Sequence, residues 1–135
     1  MYYDQYFSLF NFLGGNFELY DHPDNPLPEC PKTPNCARTT FKIDSEPEYT
    51  FLLCQTVLEA IGVHDLDVNQ DELKISSVFK VFIFKDDFVI KLQPADENKT
   101  LVHVRSASRV GKSDLGVNRR RVKRFYNALQ RAYNQ

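Results

Sequence analysis

The chain has 135 residues, 42% of them hydrophobic and 26% charged, with a net charge of −1. That is one domain's worth of chain with an ordinary globular balance, which excludes wholesale disorder, a fibrous repeat and a disulfide-dense miniature fold. No apolar run approaches the ~20 residues needed to cross a bilayer, and the near-neutral total selects no polyanionic or polycationic partner.

Residues 1–21 are aromatic and irregular, broken by Gly14-Gly15. Tyr2, Tyr3, Tyr6, Phe7, Phe10 and Phe12 suit either a short helix packed on the body or a docking tail for a partner. A secretory leader needs a basic start and a small-residue cleavage site; Asp4 stands where a cation belongs, and the first Lys or Arg is Lys32. The expected location is therefore cytoplasmic. Residues 22–36 hold five of the seven prolines and form an extended connector. The expected organisation is an extension and connector over 1–26, then a single domain over 27–135.

Cys30 and Cys36 bracket a rigid loop, CPKTPNC. A disulfide there closes a short ring worth roughly 2 kcal/mol of chain entropy, but a reducing compartment would leave it open. The C-x5-C spacing is wrong for zinc, so no metal and no cofactor are expected. Cys54 falls on the apolar face of a helix, where packing is its ordinary role.

Ser45-Glu46-Pro47-Glu48 reads as a capping box with Pro just inside the start. Phe51, Cys54, Val57, Leu58 and Ile61 follow at helical spacing, and Gly62 is a natural stop, giving a helix over roughly 46–61. Leu73–Phe84 is rich in β-branched and aromatic residues, Lys85-Asp86-Asp87 supplies a turn, and Phe88–Gln93 alternates. A second turn over Pro94–Asn98 leads into another alternating run, Thr100–Ala107. Short turns imply antiparallel pairing of at least three strands. A second helix starts near Ser113 or Asp114, either of which can cap it, and buries Val122, Phe125, Tyr126, Leu129 and Tyr133. The order of elements predicts an α+β fold, an antiparallel sheet with two main helices on one face.

The charge is split. Residues 102–135 carry nine Lys/Arg against the single acid Asp114, a net +8, and residues 1–101 carry −9. Such asymmetry marks an anion-binding end or two halves that pack by charge. The densest polar stretch, RSASRVGKSDLGVNRR over 105–120, joins a strand to a helix N-terminus, where free N–H groups favour anions and Arg105 and Arg109 offer bidentate contacts. Ser106–Ser113 mimics a phosphate-binding loop, yet Ser106 replaces the first glycine and no metal-binding strand follows. The same arginines suit an internal network with Asp86, Asp87 or Asp114 equally well. Nucleic acid is disfavoured, because no docking motif surrounds the basic helix. His103 shares a strand face with Leu101 and Arg105 and reads as packed rather than as a base for a nucleophile.

CPKTPNCARTT (30–40), the apolar strand ending in Asp86-Asp87, and RSASRVGKSDLGVNRRR (105–121) together resemble the bacterial and plant family called domain of unknown function 1499, over about Leu27–Leu129. The resemblance implies that Cys30, Pro31, Pro34, Asn35, Cys36, Asp87, Arg105, Ser106, Ser108, Arg109, Gly111, Asp114, Gly116, Asn118 and Arg120 belong to the family pattern. Relatives of that kind often carry an export signal or membrane anchor, and their plant forms look organellar; neither feature is seen here. The proline-cysteine loop is expected to fold over the strand-to-helix junction and make one polar pocket with Asp87.

The resulting expectation is a non-catalytic domain that binds an anionic small molecule or a protein partner. Its ligand-binding residues would be Asp87, Arg105, Ser106, Ser108, Arg109, Gly111, Asp114, Asn118 and Arg120, with Cys30 and Cys36 placed to form a disulfide or to stay reduced. The alternatives are an enzyme using Asp87 and Arg109, or an assembly factor docking through the aromatic N-terminus.

Overall fold

A computed structural model describes residues 19–32, 35–111 and 114–134. The aromatic residues over 1–18, Thr33-Pro34 and the Lys112-Ser113 pair lie outside the described residues, so the docking-tail expectation and the Ser113 cap are not addressed by it.

Five strands form one antiparallel sheet: β1 Cys36–Ile43, β2 His64–Asn69, β3 Lys74–Val81, β4 Phe84–Pro94 and β5 Thr100–Ser108. Their spatial order is β1-β5-β4-β3-β2. Helix α1, Pro47–Ile61, joins β1 to β2, and α2, Val117–Tyr133, closes the chain. The chain is α+β, with both helices on one sheet face. Phe51, Cys54 and Leu58 of α1 and Val122, Phe125 and Leu129 of α2 share one core with Phe41, Phe88, Ile90, Val102 and Val104 of the sheet. The Phe125 ring meets Phe88 edge-on at 5.3 Å and stacks on Phe41 at 6.5 Å.

Local chemistry explains the elements. The cap of α1 is Glu46, one residue past the expected Ser45; its carboxylate accepts from the Tyr49 and Glu48 N–H groups. Gly62 ends the helix at φ 88°, a left-handed conformation that a Cβ disfavours. The α2 cap also shifts. Gly116, at φ 80°, takes that position, and Asp114 serves the helix start from two residues earlier.

The expected turn at Lys85-Asp86-Asp87 is corrected. Both aspartates pair within β4: Asp86 opposite Phe79 and Ser108, Asp87 opposite Val78 and Ala107. The chain reverses instead at Phe82-Ile83, between the paired Val81 and Phe84. Polar residues marked the wrong place because their partners come from elsewhere in the fold. β1 and β2 are additions to the expected strands. In β1, Ala37, Phe41 and Ile43 are buried on the helix side while Arg38 and Lys42 interrupt the apolar pattern. β2 is a mostly exposed edge strand with a bulge between His64 and Asp67.

Candidate functional site

The residues expected to form one pocket fall into two groups on opposite faces of the sheet. Successive side chains on a strand point to opposite faces. Ser106 and Ser108 of β5 and Asp86 of β4 therefore face the helices, whereas Asp87, Arg105 and His103 face away.

On the helix side, Asn118 in the first turn of α2 is fully buried and ties three segments together. Its carbonyl oxygen accepts from the Ser106 hydroxyl at 2.6 Å and from Arg121 Nη1 at 3.2 Å. Its amide nitrogen faces Ser108 Oγ at 2.9 Å, Asp114 Oδ2 at 2.7 Å and the Asn35 carbonyl at 3.2 Å. Asn35, just before β1, also accepts from the Ser108 N–H and donates to the Gly111 carbonyl. The proline-cysteine loop thus reaches the junction, as expected, with its Cys30 and Cys36 sulfurs bonded and their Cα atoms 5.7 Å apart. Burial opposes the charge of Asp114, but donors from the Asn118 backbone and side chain and from the Gly116 N–H outweigh it and hold the carboxyl below its ordinary value. Asp86, unmentioned among the expected ligand-binding residues, forms a buried ion pair with Arg121, whose guanidinium lies 4.4 Å from the Phe79 ring centre.

On the open side, Arg109 holds Asp87 through two parallel bonds of 3.0 and 2.8 Å. The Asp87 carboxylate raises the Arg109 pKa, first through hydrogen bonding and then through charge. Both groups are nearly half exposed, so solvent screens the pair. Arg105 stands opposite Arg38 in the ladder and donates to the Glu29 carbonyl at 3.4 Å; the Nε atoms of Arg38 and Arg105 are buried without a hydrogen-bond partner among the described residues. Arg120 donates back to the Leu115 carbonyl at 2.9 Å, wrapping over Gly116, whose missing Cβ leaves it room. The expected single polar pocket with Asp87 is thus corrected: the sheet itself sets Asp87 and Arg109 apart from Ser106, Ser108, Asp114 and Asn118.

A cleft of about 260 Å³ does open at the junction. Its walls are Val81 and Phe84 from the β3–β4 hairpin, Val110 from the lead-in to α2 and Val117 from its first turn; Lys85, Asp86, Ser108 and Asp114 supply its polar edge. Of the expected ligand-binding residues, only Ser108, Gly111 and Asp114 line it. The apolar walls escaped the sequence reading because the 81–84 hairpin and the 110–117 segment meet only in the fold.

Cys54 and His103 are both sealed in the interior. Cys54 is wholly buried, and burial pushes its thiol pKa up. His103 is wholly buried, with Nδ1 2.8 Å from Thr40 Oγ1 and Nε2 2.9 Å from Gln93 Oε1. Burial above all, then the nearby His22, pushes its pKa down to about 4, against a smaller opposing pull from Asp24. The unfolded chain binds this proton below about pH 6.5 and the folded chain resists it. Stability from this group is therefore complete above pH 6.5 and drains away as pH falls toward 4, by about 3 kcal/mol in all. Urea unfolding across that interval should show this loss, and a His103→Gln variant should show a shallower slope. Equal slopes would mean that the ring takes up its proton in the folded state.

The family model described as "Protein of unknown function (DUF1499)" matches residues 26–129. No curated protein matches the chain. Among solved structures, that of TTHA0849 from Thermus thermophilus is similar at 14% identity and a TM-score of 0.45, covering 73% of this chain and 93% of the other. A conserved protein from Geobacillus kaustophilus is similar at 12% identity and a TM-score of 0.41, covering 73% and 95%. Among the described residues, no helix is long and apolar enough to cross a membrane.

Proposed function

The chain belongs to the DUF1499 family of proteins of unknown function, and on that premise we propose that it is a small non-catalytic binding domain whose junction cleft receives an apolar side chain of a protein partner. The observation that carries this reading is the character of the cleft. Val81, Phe84, Val110 and Val117 wall it, and Asp86, Asp114 and Lys85 stand at its edge. Asp86 is already paired with Arg121 and Asp114 with the start of α2, and Arg109, Arg120 and Arg121 are bonded to oxygens of the protein itself, so against mostly apolar walls the lining offers an anion, among the described residues, Lys85 alone. The volume suits one aromatic or branched side chain rather than a drug-sized molecule. Acid–base catalysis by Asp87 and Arg109 is less well supported, because each neutralises the other on an open surface.

The dye 1-anilinonaphthalene-8-sulfonate tests the cleft. Exposed Phe82 and Ile83 offer a second apolar surface, so the titration is run in a Phe82→Asn, Ile83→Gly background. Fluorescence enhancement by the folded protein is expected, with most of it lost when Val117→Trp fills the cleft and the melting transition is retained. Enhancement untouched by Val117→Trp would remove the cleft from the reading. Inorganic phosphate raising the melting temperature, with the rise abolished by Arg105→Ala and Arg109→Ala together, would restore the anion as ligand.

A further inference from the structure

The β3–β4 hairpin ends in two side chains that the fold does not use. Phe82 is 96% exposed and Ile83 87% exposed, flanked by the half-exposed Val81 and Phe84. Phe82 also sits at φ 57°. Two-residue hairpin turns give such positions to Gly, Asn or Asp, because a bulky L-residue is strained there. The tip therefore carries a backbone penalty and a solvation penalty with no internal contact in return.

Just behind the tip, Lys80 and Lys85 stand directly opposite each other across the ladder, both exposed. Like charges in that arrangement repel, and among the described residues neither has an acidic partner. The two nearest acids in β4 are taken: Asp86 by Arg121 and Asp87 by Arg109. The Arg109 backbone bonds to the Lys85 carbonyl, which brings one more guanidinium to this end of the sheet. Exposed Arg119 and Arg120 open α2 on the far side of the cleft.

We propose that this hairpin tip docks the protein onto an anionic lipid surface, Phe82 and Ile83 entering the headgroup layer while Lys80 and Lys85 meet the lipid phosphates and carboxylates. An apolar point with a cationic collar matches the layered chemistry of such a surface, apolar below and negative above. The shape favours lipid over protein: a turn that projects as a point penetrates a soft layer, whereas a protein partner needs a broad, complementary face. Phe82, Ile83 and Lys80 lie outside the cleft lining, so the docking is tested separately from the cleft.

Co-sedimentation of the full chain with vesicles of phosphatidylcholine, with and without phosphatidylserine, tests it. Binding is expected to the phosphatidylserine vesicles, weakening as salt rises. Lys80→Glu with Lys85→Glu should weaken it at least about tenfold, since each basic residue near the surface contributes appreciably. Phe82→Asn with Ile83→Gly should abolish it while the melting transition is retained, because both side chains are exposed and Asn suits the left-handed position of Phe82. Val117→Trp, which blocks the cleft, should leave vesicle binding intact, so that failure of the cleft reading and of this one are separable. No binding to phosphatidylserine vesicles at low salt, or binding unchanged in both double variants, would overturn the proposal. So would a protein captured through the tip by a chain that ignores vesicles.

Discussion

Replacing Asn118 with alanine is expected to destabilise the protein by about 3 kcal/mol or more, lowering the melting temperature by roughly 10–15 °C. The residue is fully buried, so water cannot take its place at each partner without opening the fold. Its removal strands the Ser106 hydroxyl, itself fully buried, and takes a donor from the Asn35 carbonyl and the Ser108 hydroxyl. The orphaned Ser106 hydroxyl costs about 1–3 kcal/mol, and the weakened bonding of the Asn35 carbonyl, which keeps the Ser108 N–H, and of the Ser108 hydroxyl adds to it. The Asn118 N–H to Asp114 bond survives in the variant, so α2 itself should persist. Urea unfolding followed by circular dichroism gives the value directly. A loss under about 1 kcal/mol, the low end of that cost, would mean that the junction is wet and that its hydrogen bonds are exchangeable with solvent.

The second large effect concerns Arg121. Changing it to methionine should cost about 3–5 kcal/mol, the usual consequence of leaving a buried carboxylate without its cation. Asp86 is only 7% exposed, and both side chains of the pair are about nine-tenths buried. The variant also loses the guanidinium held over Phe79 and one bond to Asn118. Asp86→Leu combined with Arg121→Met should recover most of the loss, because a buried ion pair rarely outperforms an apolar pair of similar volume. A double-mutant cycle measures the recovery. If Arg121→Met alone is harmless, the pair is solvated and contributes to charge balance rather than to packing. Arg121 and Asn118 share a contact, so their effects should not add.

The sequence carried the helices well because their signals are local. The spacing of Phe51, Cys54, Val57 and Leu58 and the glycine at 62 suffice for α1, and the Val122–Tyr133 stripe suffices for α2. The hairpin was misplaced for the opposite reason. Lys85-Asp86-Asp87 has turn composition, yet Asp86 and Asp87 are strand residues whose partners, Arg121 and Arg109, lie 35 and 22 positions away. The true turn, Phe82-Ile83, has the composition of a strand core, so no local rule could have chosen it. β2 was invisible because its exposed edge, HDLDVN, has little apolar content to show a period.

The candidate site divides in the same way. The importance of the 105–121 stretch was legible: Ser106, Ser108, Asp114 and Asn118 do meet, and Asn35 from the cysteine loop joins them. Their purpose was not. Residue types fix what a group can bond to, and the hydroxyl-rich, arginine-rich stretch fixes that this junction is polar. Which groups face each other depends on the sheet's alternation and on where α2 lands, and these place Asp87 on one face and Asn118 on the other. By itself the chain's order of residues determined an antiparallel α+β domain with a basic end, since periodicity, caps and charge are local properties. Tertiary packing alone decided that most of the arginines around the junction are spent within the protein and that an apolar cleft remains at its surface, because each is assembled from strands and loops far apart along the chain, and it decided that Phe82-Ile83 stays bare because, among the described residues, no other element packs over that turn.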